Sequence, residues 1–86
     1  MAKYMAVHTL PMTQEQFMTM GKDLMSKIPK GLNYKLTYCA FDNQKFFCEW
    51  DAPSKETLEQ GLKQMNMPFD AVYPVKMYDA ASGKWS

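Results

Sequence analysis

Only a few side chains in this sequence are suited to chemistry. His8 is the only histidine, and Cys39 and Cys48 are the only cysteines. Glu49 and Asp51 are two residues apart, so on a strand they point to the same face. If His8 lies on a neighbouring strand, a neutral imidazole and two carboxylates suit a divalent transition metal. We therefore predict a metal site at His8, Glu49 and Asp51, to which a second copy of the chain could add ligands.

Other catalytic and binding signatures are missing from the sequence. The two cysteines lack the CxxC spacing of redox and zinc motifs. Thr13 and Ser54 have the positions of helix caps, and no histidine is placed to activate them, so no nucleophilic triad is predicted. Four glycines form no phosphate-binding loop. The chain has no arginine and a net charge of +1, which removes the chemistry that most nucleic-acid interfaces use.

The composition indicates one small domain with an apolar surplus. Eighty-six residues are enough for a single domain, and 47% of them are hydrophobic, including nine methionines. That is more than a two-layer core of this size hides, so we expect a homodimer interface. No run approaches the roughly 20 apolar residues of a membrane span, and the first residues lack the apolar run of a signal peptide. We therefore expect a cytoplasmic protein without membrane contact.

Hydrophobic periodicity predicts four strands and two helices in the order βαββαβ. The expected strands are 3–10, 32–41, 46–51 and 71–78, and the expected helices are 13–28 and 54–65. Thr13 and Gln16 have the spacing of a capping box, and Ser54 is the predicted N-cap of the second helix. Residues 1–78 are assigned to the domain and residues 79–86 to a loose C-terminal tail.

This order of elements predicts a ferredoxin-like α+β sandwich. Right-handed crossovers favour an antiparallel sheet with strand order 4-1-3-2 and both helices on one face. Pro74 agrees with this topology, because a proline that cannot donate to the ladder is tolerated on an edge strand.

The hairpin between the second and third strands predicts which side chains share a face. A three-residue turn at Asp42, Asn43 and Gln44 places apolar side chains of one strand opposite apolar side chains of the other, and it places Lys35 opposite Asp51. The predicted pairs are Leu36–Trp50, Tyr38–Cys48, Ala40–Phe46, Lys35–Asp51 and Thr37–Glu49. This register places Cys39 and Cys48 on opposite faces as free thiols. With Met5 and Val7 turned toward the helices, the helix-free face is expected to carry Tyr4, Ala6, His8, Asn33, Lys35, Thr37, Cys39, Phe47, Glu49 and Asp51.

Three segments resemble a family of small bacterial ferredoxin-like proteins, most of them uncharacterised. These segments are MAKYMAVH at 1–8, FCEWDAPS at 47–54 and PFDAV at 68–72. The family includes a nickel-binding member, so the resemblance implies a dimer of ferredoxin-like subunits and metal binding, with nickel as the metal. His8 matches a histidine of the family pattern. The positions where nickel-binding relatives have further histidines read Asn33, Leu36, Leu62 and Met67 here.

Two classes of function compete, with a third behind them. The first is a small dimeric non-enzymatic protein that binds a divalent transition metal such as nickel, or a small ligand. The second is a cofactor-free oxygenase or isomerase of the dimeric ferredoxin-like barrel type, which needs an apolar pocket with a base such as His8. The third is a protein-interaction module without a ligand, which a fully exposed His8 would favour.

Overall fold

The structure, a computed structural model, describes residues 1–86 and contains the six predicted elements followed by a short hairpin. The strands of the main sheet are β1 (Ala2–Thr9), β2 (Asn33–Ala40), β3 (Lys45–Ala52) and β4 (Ala71–Pro74). The helices are α1 (Gln14–Met25) and α2 (Lys55–Gln64). All pairings in the main sheet are antiparallel and the order is β2-β3-β1-β4, which confirms the predicted ferredoxin-like topology.

Both helices begin at the predicted caps. The Thr13 hydroxyl accepts from the Gln16 amide, and the Gln16 side chain accepts from the Thr13 amide, so the capping box is complete. Ser54 caps α2 by accepting from the Thr57 amide. Neither helix has the length and apolar character that crossing a membrane requires.

The C-terminal part of the chain is more ordered than the sequence predicts. β4 lies at the sheet edge, where its proline is tolerated, and it ends at Pro74, so it is shorter than the predicted strand. The final residues form a two-stranded hairpin, β5 (Tyr78–Asp79) and β6 (Lys84–Trp85), so the prediction of a loose tail is wrong. Met77 and Ser86 exchange two backbone hydrogen bonds beyond this pair, and the Tyr78 and Trp85 rings pack with centroids 4.8 Å apart.

One face of the sheet lies beneath α1 and α2 and holds the core. We call it the inner face; its buried strand residues are Tyr4, Ala6, His8, Phe46, Cys48, Trp50, Ala52 and Val72. Leu24, Leu58 and Leu62 of the helices are buried with them. The helix-free side is the open face, and it carries Lys3, Met5, Val7, Leu36, Tyr38, Phe47, Glu49, Asp51, Ala71 and Tyr73.

β1 presents the opposite alternation to the one predicted. His8 lies directly across from Phe46, and residues paired in this way share a face, so His8 is on the inner face. Met5 and Val7, expected beneath the helices, are on the open face. The reason is Lys3, whose side chain points to the same face of the strand as those of Met5 and Val7. Burying an unpaired lysine beneath the helices would cost far more free energy than leaving two apolar side chains without cover.

A β-bulge near Lys35 overturns the predicted register of the hairpin. Tyr34 pairs with Trp50, but Leu36 pairs with Glu49, so β2 carries one extra residue between these pairs. The turn also has four residues rather than three, because Ala40 pairs with Lys45. Beyond the bulge the predicted pairs are therefore wrong by one residue: Leu36 and Tyr38 lie on the open face, and Thr37 and Cys39 lie on the inner face.

Candidate functional site

The three residues of the predicted metal site do not come together. His8 is on the inner face, whereas Glu49 and Asp51 are on the open face of the neighbouring strand. The expectation that His8 shares a surface with the two carboxylates is therefore wrong. Lys3 keeps the odd-numbered residues of β1 on the open face, which turns His8 to the inner face. No group of three histidine, cysteine, aspartate or glutamate side chains is placed to hold a metal ion.

His8 is buried and bonded to the backbone. Its exposed fraction is 1%, and its Nδ1 lies 2.7 Å from the carbonyl oxygen of Pro68. A carbonyl can only accept, so Nδ1 carries the proton and donates it. Nε2 is buried without a hydrogen-bond partner. Burial lowers the His8 pKa from its ordinary value, and the Pro68 bond and the charge of Asp70 oppose this only in part.

A polar cluster joins the ends of three strands next to His8. Thr9 donates a hydrogen bond to the Asp70 carboxylate, and Lys45 Nζ lies 2.6 Å from Thr9 Oγ1 and 3.5 Å from Asp70 Oδ2. The hydrogen bond from Thr9, followed by the positive charge of Lys45, lowers the pKa of the Asp70 carboxyl group. The Asp70 amide donates to the Val7 carbonyl at 2.7 Å, so the cluster fixes the start of β4 against β1.

Cys39 and Cys48 lie on the same face of the hairpin, not on opposite faces. Cys39 pairs with Phe46 and Thr37 pairs with Cys48, so the cysteines are diagonal neighbours on the inner face. The bulge causes the correction, because it inverts the alternation of β2. Both cysteines are free; Cys48 is buried and Cys39 is partly exposed, in the order of accessibility that the sequence predicts.

The open face is organised in three rows that run across the strands. The apolar row consists of Tyr38, Phe47, Val7 and Ala71, each paired with the next. The mixed row consists of Leu36, Glu49, Met5 and Tyr73, and the charged row of Lys35, Asp51 and Lys3. Tyr38 is 66% exposed and Phe47 is 36% exposed, so large apolar side chains remain in solvent. Such a patch is typical of an interaction surface.

A groove of about 860 Å³ lies at the charged end of the open face. Lys3 Nζ lies 3.3 Å from Glu49 Oε2, and Lys35 Nζ lies 3.4 Å from Asp51 Oδ2, so both predicted metal-binding carboxylates are in ion pairs. Lys35 and Asp51 are the single oppositely charged pair of the predicted register, and they form an ion pair although the strand partner of Asp51 is Asn33. The groove is lined by Met1, Ala2, Lys3, Lys35, Leu36, Glu49, Asp51, Pro74, Val75, Lys76 and Ser86.

A second cavity, of about 280 Å³, lies between the helices and the loop before β4. Four of the nine methionines meet there, together with Leu10 and Leu24; they are Met12, Met20, Met65 and Met67. Met67 belongs to the buried core, and Met20 and Met65 pack against it. These contacts agree with core filling as the role of Met20, Met65 and Met67.

Two signals in the sequence indicate the faces of β1 and of the first part of β2, before the bulge. Lys3 shares the parity of Met5 and Val7, and a lysine in a strand marks the solvent side. Tyr34 is an aromatic residue in the first part of β2, and its ring stacks on Trp50 with centroids 4.9 Å apart, which fixes the inward side before the bulge. The bulge itself had no recognisable signal, because no glycine or proline marks it.

Comparisons with known proteins agree with the fold. The family described as "Nickel responsive protein SCO4226-like" matches residues 4–75. Among solved structures, the chain is similar to the crystal structure of SCO4226 from Streptomyces coelicolor A3(2), with a TM-score of 0.75 and 17% identity. The match covers 91% of this chain and 100% of that chain, and at this identity it shows the fold alone. A search of curated proteins found no match.

Proposed function

We propose a function from one premise: the chain belongs to the SCO4226-like family of nickel responsive proteins. The chain acts as a small, dimeric, non-enzymatic binding protein, and the open face of its sheet is the homodimer interface. The observation that carries this proposal is the apolar row, which leaves Tyr38 and Phe47 uncovered on a face without helices.

The size of the open face supports a face-to-face dimer. Four strands spaced about 4.8 Å apart and up to eight residues long give a face of roughly 500 Å² in projection. A standard interface covers about 800 Å² of accessible surface on each partner. Because a corrugated face has more accessible surface than its projection, an interface of this size needs nearly the whole open face.

The rows also favour one symmetry. A two-fold axis parallel to the strands and between β1 and β3 superposes each row on the same row of the partner. Phe47 then packs on the partner's Val7, and Asp51 faces the partner's Lys3. Apolar side chains meet at one end of the interface and opposite charges meet at the other, which is the complementarity that a self-associating surface requires.

Light scattering with size-exclusion chromatography tests the dimer. At micromolar concentration we expect a mass twice the 10.0 kDa of the chain. Phe47→Glu should shift the mass toward the monomer, because burying an unpaired carboxylate costs several kcal/mol. Met18→Glu is the matched control, since Met18 is exposed on α1 and its variant should remain dimeric. A monomeric wild type, or equal effects of the two variants, would reject the open face as the interface.

Nickel binding is the second candidate, and the name of the family supports it. The residues of one chain do not fit a nickel site: His8 is on the inner face, and Glu49 and Asp51 are paired with lysines. A site at these carboxylates would need ligands from a second chain across the charged row. The groove lined by Glu49 and Asp51 favours this location over His8.

Calorimetric titration with nickel, zinc and copper salts at about pH 7.5 tests the second candidate. Binding at the groove should be lost in a Glu49→Gln, Asp51→Asn double variant and retained in His8→Asn. Loss in His8→Asn alone would instead assign the metal to the inner face. No heat above the dilution control for all three metals would reject metal binding and leave the interaction surface as the function.

The enzyme alternative has less support. A cofactor-free oxygenase or isomerase needs a base inside an apolar pocket. The only histidine lines neither the groove nor the methionine-lined cavity, and its Nδ1 is engaged by Pro68.

A further inference from the structure

The two thiols of the chain form a pair that the proposed function does not use. Cys39 and Cys48 are diagonal neighbours on the inner face, next to the sheet edge formed by β2. The nearby Cys39 thiol contributes to raising the pKa of Cys48, after the larger effect of burial, which agrees with this proximity. Cys39 is partly exposed, so the pair can be reached from solvent.

A hydrogen-bond chain ends on one of the two sulfurs. Thr37 Oγ1 donates to Cys48 Sγ at 3.1 Å, and the Tyr34 hydroxyl is bonded to the same Thr37 oxygen. Since Thr37 has only one hydroxyl proton, Tyr34 is the donor to Thr37, and both dipoles point toward the sulfur. These bonds offset in part the effect of burial, which raises the Cys48 pKa, and they place two hydroxyl dipoles toward a sulfur that would act as a ligand.

The spacing of the pair suits a bridging cation better than a disulfide. Diagonal neighbours on adjacent antiparallel strands have Cα atoms about 7–8 Å apart. A disulfide requires at most about 7 Å, so it would need movement of the backbone. A cation bound to two thiolates, with metal–sulfur bonds of about 2.3 Å, separates the sulfurs by roughly 4.6 Å when the geometry is linear. This separation of the two sulfurs is more than twice the length of a disulfide bond, so it fits the Cα spacing of diagonal neighbours without movement of the backbone.

The surroundings select the type of cation. Phe46 and Trp50 flank Cys48 along the inner face of β3, and no histidine or carboxylate completes a group of three ligands. Nickel and zinc prefer four ligands, whereas thiolates select Cu(I). We propose that Cys39 and Cys48 form a two-sulfur site for the soft cation Cu(I). This proposal is independent of the homodimer and of nickel binding at the groove.

An anaerobic competition titration tests the site on the full, reduced chain. Cu(I) is supplied as its coloured bathocuproine disulfonate complex, and withdrawal of Cu(I) by the protein is followed as loss of colour. We expect one Cu(I) per chain. Cys39→Ser should weaken binding by about 100-fold or more, because even an outer-shell substitution typically costs 10–100-fold. Cys39 is partly exposed, so this variant should keep the wild-type circular dichroism and melting temperature.

The methionine-lined cavity provides the matched control for soft ligands. A Met20→Leu, Met65→Leu double variant removes two thioethers of that cavity and should bind Cu(I) like the wild type. A loss of binding in this variant, or wild-type binding by Cys39→Ser, would overturn the proposal. So would a wild-type protein that withdraws no Cu(I) from the chelator.

Thiol labelling gives a second readout. In the reduced metal-free protein, iodoacetamide should modify Cys39 faster than Cys48, and Cys48 only on unfolding, because Cys48 is 3% exposed and Cys39 is partly exposed. One equivalent of Cu(I) should protect Cys39, and the protection should weaken at lower pH because binding releases thiol protons. An unchanged labelling rate with Cu(I) would show that Cys39 is not a ligand.

Discussion

The inner and open faces of the sheet are formed by alternate residues of the same strands, yet they treat polar groups in opposite ways. On the inner face, His8 Nε2 and Trp50 Nε1 are buried without hydrogen-bond partners. On the open face, Glu49 and Asp51 each form an ion pair with a lysine. The inner face therefore combines neutral hydrogen bonds, such as His8 to Pro68 and Thr37 to Cys48, with polar atoms that have no partner, whereas the open face relies on ion pairs beside partly uncovered apolar neighbours.

This contrast shows that the most polar residue, and not the average hydrophobicity, decides which face of a strand is buried. In β1 the alternate residues Met5 and Val7 are more apolar than Ala6 and His8, but they share a parity with Lys3. Keeping the lysine on the open face leaves both apolar side chains without cover from the helices and partly exposed. The open face thereby acquires the patch that we assign to a second copy of the chain.

The largest expected difference in stability is between alanine variants of two adjacent phenylalanines of β3. Phe46 is 1% exposed on the inner face, whereas Phe47 is 36% exposed on the open face. Phe46→Ala should lower the free energy of unfolding by about 3–5 kcal/mol through lost burial and a cavity. Phe47→Ala should lower it by less than about 1 kcal/mol in the monomer. Urea unfolding at low protein concentration provides the measurement, and equal losses would contradict the assignment of the faces.

His8 should give the inner face a dependence on pH. Burial lowers its pKa in the folded state, so between that pKa and the ordinary value of 6.5 the unfolded chain binds more protons. Stability should therefore be lost as pH falls below about 6.5, with a slope of at most about 1.4 kcal/mol per pH unit for one proton. Urea unfolding between about pH 5 and 8 measures this slope.

His8→Asn is the matched variant for this pH dependence. Its amide can still donate to the Pro68 carbonyl in place of Nδ1, but it does not titrate. The variant should be less stable at neutral pH and should lose the slope contributed by His8. A slope that persists unchanged would assign the titration to another group.

The smallest effects should come from the ion pairs of the open face. The Lys3 and Glu49 side chains are 19% and 15% exposed, and those of Lys35 and Asp51 are 43% and 25% exposed. Double-mutant cycles should give coupling energies below about 1 kcal/mol for both pairs, larger for Lys3–Glu49 because it is less hydrated. The order should persist at high salt, and the reverse order would show that burial does not govern these pairs.

The elements of the fold could be predicted because their signals are local. The caps at Thr13 and Ser54 and the edge position of the strand that contains Pro74 are read within a few residues of the chain. The candidate site was harder to predict, because a one-residue change in register moves every following side chain to the other face. The bulge near Lys35 made this change for Leu36 and beyond, and the parity of β1 made it for His8.

The sequence alone determined the order of elements, the strand order of the sheet and the inward residues of β3, since periodicity, capping and handed crossovers are properties of the chain itself. Only the tertiary structure decided that His8 is buried, that Cys39 and Cys48 share a face, and that the open face carries an apolar row. Those outcomes depend on the pairing of strands distant in sequence. There the cost of burying Lys3 sets the face of β1, and the bulge after Tyr34 changes the face of the rest of β2.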